Sequence, residues 1–291
     1  MNKLFSFVFI LILVTSCGQG KNDYVITIKT QYGDMTAILY DETPLHKKNF
    51  IKLAEENFFD SLLFHRVIQG FMIQTGDPDS KKAQPGAHLG GGGPGYNVPA
   101  EFNPKFFHEK GSLSAARMGD NVNPKKESSG SQFYVVQGTV LKQADLDGLK
   151  YDQAKLMAGL RQMYQTMTDH SMFDSLNQIY ASGDMHAYQI KLNSMAPRVE
   201  KATGVKVPRE GLLNEAKTKA YTTAGGSPHL DGEYTVFGKV IKGLEIIDKI
   251  AAVQKDQAYR PLEDIRMTVT VQQMSKKKIR KEFGYQYEAV K

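Results

Sequence analysis

The period of the apolar residues changes twice along the chain, and this limits the possible folds more than any other feature. From Tyr24 apolar and polar residues alternate, with Tyr24, Ile26 and Ile28, then Met35, Ala37 and Leu39, on either side of Tyr32-Gly33-Asp34. That is the pattern of two strands with one face buried. Further strand-like runs are Leu62–Ile68, Phe71–Thr75, Ser112–Ala116, Gln132–Val136, Thr235–Ile241 and Arg266–Gln273. Thr43-Pro44 opens a helix with Phe50, Leu53, Ala54 and Phe58 on its apolar face, and Gly243–Val253 reads as a second helix. Many short strands with two well-spaced helices predict a mainly β domain, a closed antiparallel barrel with helical caps.

Between Thr139 and Tyr221 the spacing is helical instead. Leu146, Leu149, Leu156, Leu160, Met163 and Met167 recur every three to four residues, as do Met172, Leu176 and Ile179, then Met185, Tyr188, Leu192 and Met195, and finally Leu212, Leu213, Ala216 and Ala220. The spacing predicts an inserted all-α segment of three to four helices, 139–221, splitting a barrel formed by 24–138 and 222–274. Six of the twelve methionines lie in it; they either fill a small helical core or act as adaptable contacts for varied partners.

The ends carry different information. Lys3 precedes the apolar run Leu4–Val14, too short for the roughly 20 residues of a spanning helix but suited to a secretory leader, 1–16. Val14-Thr15-Ser16 then leads into Cys17, the only cysteine. This resembles the lipobox of bacterial lipoproteins, which implies removal of the leader, diacylation of Cys17 and a cell-envelope location on the periplasmic face of the inner or outer membrane. Residues 17–23 read as a tether. At the other end, 275–291 holds six Lys or Arg against two Glu and supplies +4 of the formal +6, leaving +2 for the rest. The body is nearly neutral, which argues against a nucleic-acid partner, and the basic tail reads as a solvated end. With 41% apolar residues and one cysteine, disorder and a disulfide scaffold are excluded.

The chemistry is concentrated in Phe64–Pro78 (FHRVIQGFMIQTGDP), with Gly111–Arg117 (GSLSAAR), Gly130–Val135 (GSQFYV) and His229–Val240 (HLDGEYTVFGKV). Together, and in this order, these motifs resemble the cyclophilin family of peptidyl-prolyl cis-trans isomerases over Tyr24–Thr139 and Thr222–Gln273. The resemblance implies an eight-stranded barrel capped by two helices, with no cofactor and no metal. It places the catalytic arginine on Arg66, supported by Gln74. The substrate-binding positions fall on Phe71, Met72, Ala116, Arg117, Gln132, Tyr134, Leu230, His229 and Tyr234. Three departures stand out: Tyr134 replaces a usual Phe, Tyr234 a common His, and His229 the tryptophan that contacts cyclosporin in many eukaryotic members, so weak cyclosporin binding is expected. Arg117-Met118 is similar to the bacterial branch.

These residue types suit the reaction. Amide resonance sets a barrier of roughly 18–20 kcal/mol to rotation about an X–Pro bond. In the twisted transition state the prolyl nitrogen becomes a hydrogen-bond acceptor, and a guanidinium aimed there binds it better than either planar form. An apolar, aromatic-lined slot holds the proline ring while the other side rotates. His65 reads as a satisfied structural histidine, since no nucleophile or carboxylate stands at a catalytic spacing. Gly90–Gly93 lacks the Lys-Ser/Thr of a phosphate loop and reads as a tight loop bordering the groove. Asp145–Gly148 is too short for a calcium loop, and His108, His170 and His186 show no metal-ligand pairing. The expected partners are proline-containing and unfolded exported polypeptides, with the chain a monomer. The alternative function is a periplasmic holdase using the groove and the Met-rich insertion.

Overall fold

The computed structural model describes residues 21–183, 185–208 and 213–287; the expected leader and Cys17 lie outside the described residues. Strands β1 (Asn22–Thr30) and β2 (Gly33–Leu39) form a hairpin, followed by α1 (Pro44–Glu55), β3 (Arg66–Ile68), β4 (Met72–Thr75), β5 (Asn97–Val98), β6 (Ser112–Ala115), β7 (Ser128–Ser129) and β8 (Phe133–Val136). The helices α2 (Gln143–Leu149), α3 (Gln153–Thr166), α4 (Ser171–Ala181), α5 (Met185–Ser194), α6 (Ala196–Thr203) and α7 (Glu215–Thr223) come next. The chain ends with β9 (Val236–Lys242), α8 (Leu244–Ala251), β10 (Thr268–Ser275) and α9 (Lys276–Phe283).

Eight strands form one antiparallel sheet in the order β10-β1-β2-β9-β6-β8-β4-β3, while β5 and β7 pair separately. The expected closed barrel is met in part, because no strand ladder joins the edge strands β3 and β10. The edges are tied just outside those strands, by an isolated bridge between Leu63 and Arg266 and by Ser61 N–H to Met267 O and Phe64 N–H to Ile265 O, both 2.9 Å. The run expected as a strand from Leu62 is regular only from Arg66, since before it the chain meets residues 265–267 through a single isolated bridge and not through a ladder. Both capping helices plug one core: Phe50, Leu53 and Ala54 of α1 and Ile246, Ile247 and Ile250 of α8 pack with Ile26, Ile73, Phe133 and Phe237.

The helical block has a core of its own, with Leu156, Leu160, Met163, Leu176, Leu192, Met195 and Val199. Among the described residues six helices stand where three to four were expected. Asp152 accepts from Lys155 N–H at 3.0 Å and starts α3 afresh, and Gly183, with φ 78°, follows the end of α4. Of the methionines, Met163 and Met195 fill the helical core, while Met157 and Met167 are exposed.

Two boundaries differ from expectation. Residues 22 and 23, read as tether, begin β1, and buried Asp23 accepts from Lys47 Nζ at 2.6 Å and Tyr287 OH at 3.1 Å. The basic tail is partly structured rather than a solvated end. Ser275 caps α9, and Ile279 is fully buried against Val25 and Ile38 on the outer face of β1 and β2.

Candidate active site

Strand alternation builds the site. Arg66 on β3 lies opposite Gln74 on β4, and Gln74 lies opposite Tyr134 on β8. Directly opposed residues of antiparallel strands share a face. These three side chains therefore form one row, with Ile68, Met72 and Val136 as the next. The intervening Val67, Ile73 and Val135 point the other way, into the main core.

A chain of amides steadies the guanidinium. Arg66 Nη1 donates to Gln74 Oε1 at 3.2 Å, Gln74 Nε2 to Gln132 Oε1 at 3.1 Å, and Gln132 Nε2 to the carbonyls of Gly90 and Gly92 at 2.9 and 2.7 Å. Buried Asp77 holds the glycine-rich loop from behind, accepting from the N–H groups of Asp79 (2.9 Å), Gly90 (2.5 Å) and Gly92 (3.4 Å). Position 92 requires glycine because a Cβ there would stand 2.2 Å from Asp77 Oδ1. Among the described residues Arg66 has no carboxylate partner, so its remaining N–H groups are available to a ligand.

Beside Arg66 lies the apolar slot. Met72, Tyr134, Val136 and Leu230 are buried together, with Phe71, Ala116 and Tyr234 packed against them. A cavity of about 630 Å³ brings Arg66, Phe71, Met72, Gln74, Ala116, Arg117, Tyr134, Leu230 and Tyr234 onto one lining. That volume suits a small ligand or a short peptide segment. Gln132 lines an adjoining cavity of about 620 Å³, which shares Gln74, Ala116 and Arg117 with the first. His229 stands apart: it is exposed at the flank, its ring 5.6 Å from that of Phe71. Arg117 is a tied wall rather than a second free cation. Its Nε donates to Glu233 O at 2.8 Å, Nη1 to Asp120 Oδ1 at 2.5 Å, and its guanidinium lies 4.6 Å from the Tyr234 ring centroid.

The Tyr134 hydroxyl has a partner behind the slot. His108 Nε2 lies 3.0 Å from it, and His108 Nδ1 lies 3.0 Å from Asp231 Oδ1. Burial holds His108 below the ordinary imidazole range, with Asp231 only partly offsetting it. A carboxylate can only accept, so Nδ1 of the neutral ring carries the proton and Nε2 accepts from Tyr134. Two residues of the helical block complete the cluster: Tyr221 OH donates to Asp231 Oδ2 at 2.8 Å, and Lys217 Nζ lies 3.5 Å from the same oxygen. Sequence reasoning missed Asp77, Lys217, Tyr221 and Asp231 and left His108 unpaired. His108 and Asp231 are 123 residues apart, and no local spacing marks them as partners.

His65 also departs from expectation. It is buried on the cavity lining, yet neither ring nitrogen has a hydrogen-bond partner, and burial lowers its pKa to about 4. Among the described residues no group of three or more His, Cys, Asp or Glu is placed to hold a metal.

Comparison with known proteins bears on this geometry. The family model "Cyclophilin type peptidyl-prolyl cis-trans isomerase/CLD" matches residues 25–168 and 208–272. A Streptococcus pyogenes protein provisionally named a bifunctional phosphatase/peptidyl-prolyl cis-trans isomerase is 30% identical over 244 residues, which cover 82% of this chain and 37% of the relative. A Staphylococcus haemolyticus protein provisionally named a peptidyl-prolyl cis-trans isomerase is 28% identical over 245 residues, 84% of this chain and 88% of the relative. A solved structure, a cyclophilin type peptidyl-prolyl cis-trans isomerase of Cryptosporidium parvum, aligns at 19% identity with a TM-score of 0.48, covering 86% of this chain and 98% of its own. The unmatched residues 169–207 fall in α4, α5 and α6, whereas both capping helices and the strands carrying Arg66, Gln74 and Tyr134 are matched. The chain belongs to the family of cyclophilin-type peptidyl-prolyl cis-trans isomerases.

Proposed function

We propose that this chain accelerates cis-trans isomerisation of X–Pro bonds in exported polypeptides, with Arg66 as the catalytic group. The observation that carries this reading is a guanidinium without an acidic partner, set beside an apolar slot in one cavity. The proline ring fits among Phe71, Met72, Tyr134 and Leu230. Arg66 donates to the prolyl nitrogen as its lone pair localises, or to the neighbouring carbonyl, and so binds the twisted form more tightly than either planar one. No proton is transferred, which suits a group that stays charged at every physiological pH. Gln74 and Gln132 fix the fork in advance, so little reorganisation accompanies the twist.

Arg66→Ala is expected to lower kcat/KM on a proline tetrapeptide by about two to three orders of magnitude, the usual effect of removing one preorganised donor. A protease-coupled assay measures this, and a near-normal rate would overturn the role given to Arg66. The pattern ending at Cys17 supports export and lipid anchoring at the cell envelope, which places the substrates among chains folding outside the cytoplasm.

A holdase reading has its own support. Tyr164, Met167, Tyr180 and Ile190 of the helical block are exposed, and such side chains can hold unfolded segments.

A further inference from the structure

We propose that a second cavity, between the slot and the helical block, is an accessory subsite for the same polypeptide and takes a large apolar side chain flanking the proline. The proposal rests on the isomerase reading for its occupant. The cavity measures about 490 Å³. Phe71 and His229 form its groove side, Leu141 and Leu149 its helical side, and Thr139 and Pro228 its base.

Continuity points to the occupant. Phe71 lines both this cavity and the slot that holds Arg66, and Leu230 of the slot directly follows His229. The Gln132 cavity opens on the other side, across Gln74 and Arg117. A chain seated with its proline on Met72 and Tyr134 therefore leaves across Gln74 in one direction and across Phe71 in the other. In the second direction it meets Leu141 and Leu149. Helix α2 buries Leu146 completely and leaves Leu149 half-buried on the cavity wall, which presents an apolar surface to a ligand beside the exposed carboxylate of Asp145, whose Oδ2 accepts from Lys142 N–H at 2.9 Å.

The wall is built in advance. Thr139 and Gly226 exchange two backbone hydrogen bonds at 3.4 and 3.1 Å, and Leu141 N–H donates to Tyr221 O at 3.0 Å. Gly226 packs so closely that a Cβ would lie 2.3 Å from His108 O. A rigid neck beside the groove spares the ordering cost of an adaptable loop.

The test compares two peptides with the same Ala-Pro core, a tetrapeptide and a decapeptide with Leu within three positions of the proline on each side. Turnover is followed by NMR exchange on the full chain, with binding of the labelled decapeptide measured by fluorescence anisotropy. The unaltered chain is expected to prefer the decapeptide. Leu149→Asp is expected to cut that preference about tenfold, acting through KM, which matches the loss of one buried apolar contact. Leu141→Ser should act in the same direction if the aspartate disturbs folding, and Leu45→Ser, exposed on α1 and away from the cavity, should keep the preference. No preference in the unaltered chain, or an equal one in Leu149→Asp, would overturn the subsite. Should neither peptide turn over, the isomerase reading fails and anisotropy decides the subsite alone: weaker decapeptide binding by Leu149→Asp keeps it, and equal binding ends it. Self-association abolished by Leu149→Asp would assign the cavity to a second copy of the chain and also overturn the proposal.

Discussion

His46, His65 and His108 are all packed away from water, and burial lowers the pKa of each. For His65 the value is about 4, because burial outweighs the opposing pull of the Asp77 charge and of the Leu63 backbone. Above the unfolded pKa near 6.5 the ring is neutral in both states, and its burial carries no penalty in protons. Below it, the unfolded chain takes up a proton that the folded chain refuses. Stability is therefore lost as pH falls from about 6.5 towards 4, by at most about 3 kcal/mol from His65. Carboxylates held below their ordinary range, such as Asp41 and Asp248, withdraw stability only at lower pH. The interval from pH 6.5 to 5 thus reports on the imidazoles. Urea unfolding across it should show falling stability in the unaltered chain and a shallower fall in His65→Gln. Equal slopes would mean that the unpaired ring is not the source.

Among the secondary-structure elements, α9 shows how composition can hide a packing role. Its segment is dominated by lysine and arginine, with one aliphatic residue, Ile279, and the aromatics that follow. Such a run has no visible apolar stripe, so it reads as solvated until Val25 and Ile38 are seen to need cover. Ile279→Asp is expected to cost about 2–4 kcal/mol and to lower the melting temperature by roughly 5–10 °C. Turnover of a short proline peptide at 25 °C should stay close to that of the unaltered chain, because Arg66 lies on other strands. Calorimetry of the purified protein checks this, and an unchanged melting temperature would return the tail to solvent. The strands around the site were far more legible. In β3, β4 and β8 each residue's face follows from its parity, so Gln132 and Tyr134 separate from Phe133 in sequence as they do in the fold. Leu62–Phe64 is less legible, because a run buried on every side looks the same in a strand as in an irregular bridge.

At the scale of the molecule, two cores share one chain and meet at a narrow neck. The change of apolar period located the helical block, but nothing in the period showed that its last helix reaches the slot. That link is polar: α7 sends Tyr221 and Lys217 to Asp231, which holds His108, which in turn accepts from Tyr134. Asp231 follows Tyr221 by ten residues but lies 123 from His108, and none of these residues sits in a local pattern that marks a partner, so only the folded chain reveals the link. Because Thr139 and Gly226 are already paired, residues 140–225 can be replaced by an Asn-Gly turn without breaking that bridge. The main core contains no residue of that segment, so the shortened chain is expected to fold. It should nevertheless lose about 1–3 kcal/mol, the cost of depriving a buried carboxylate of its partners. The KM for a proline peptide should rise as well, since Tyr134 is held less firmly. Tyr221→Phe, with the block intact, should reproduce part of both changes, which separates loss of the polar link from loss of helical mass. If the shortened chain and Tyr221→Phe both melt and turn over like the unaltered chain, the link from α7 to the slot has no energetic role.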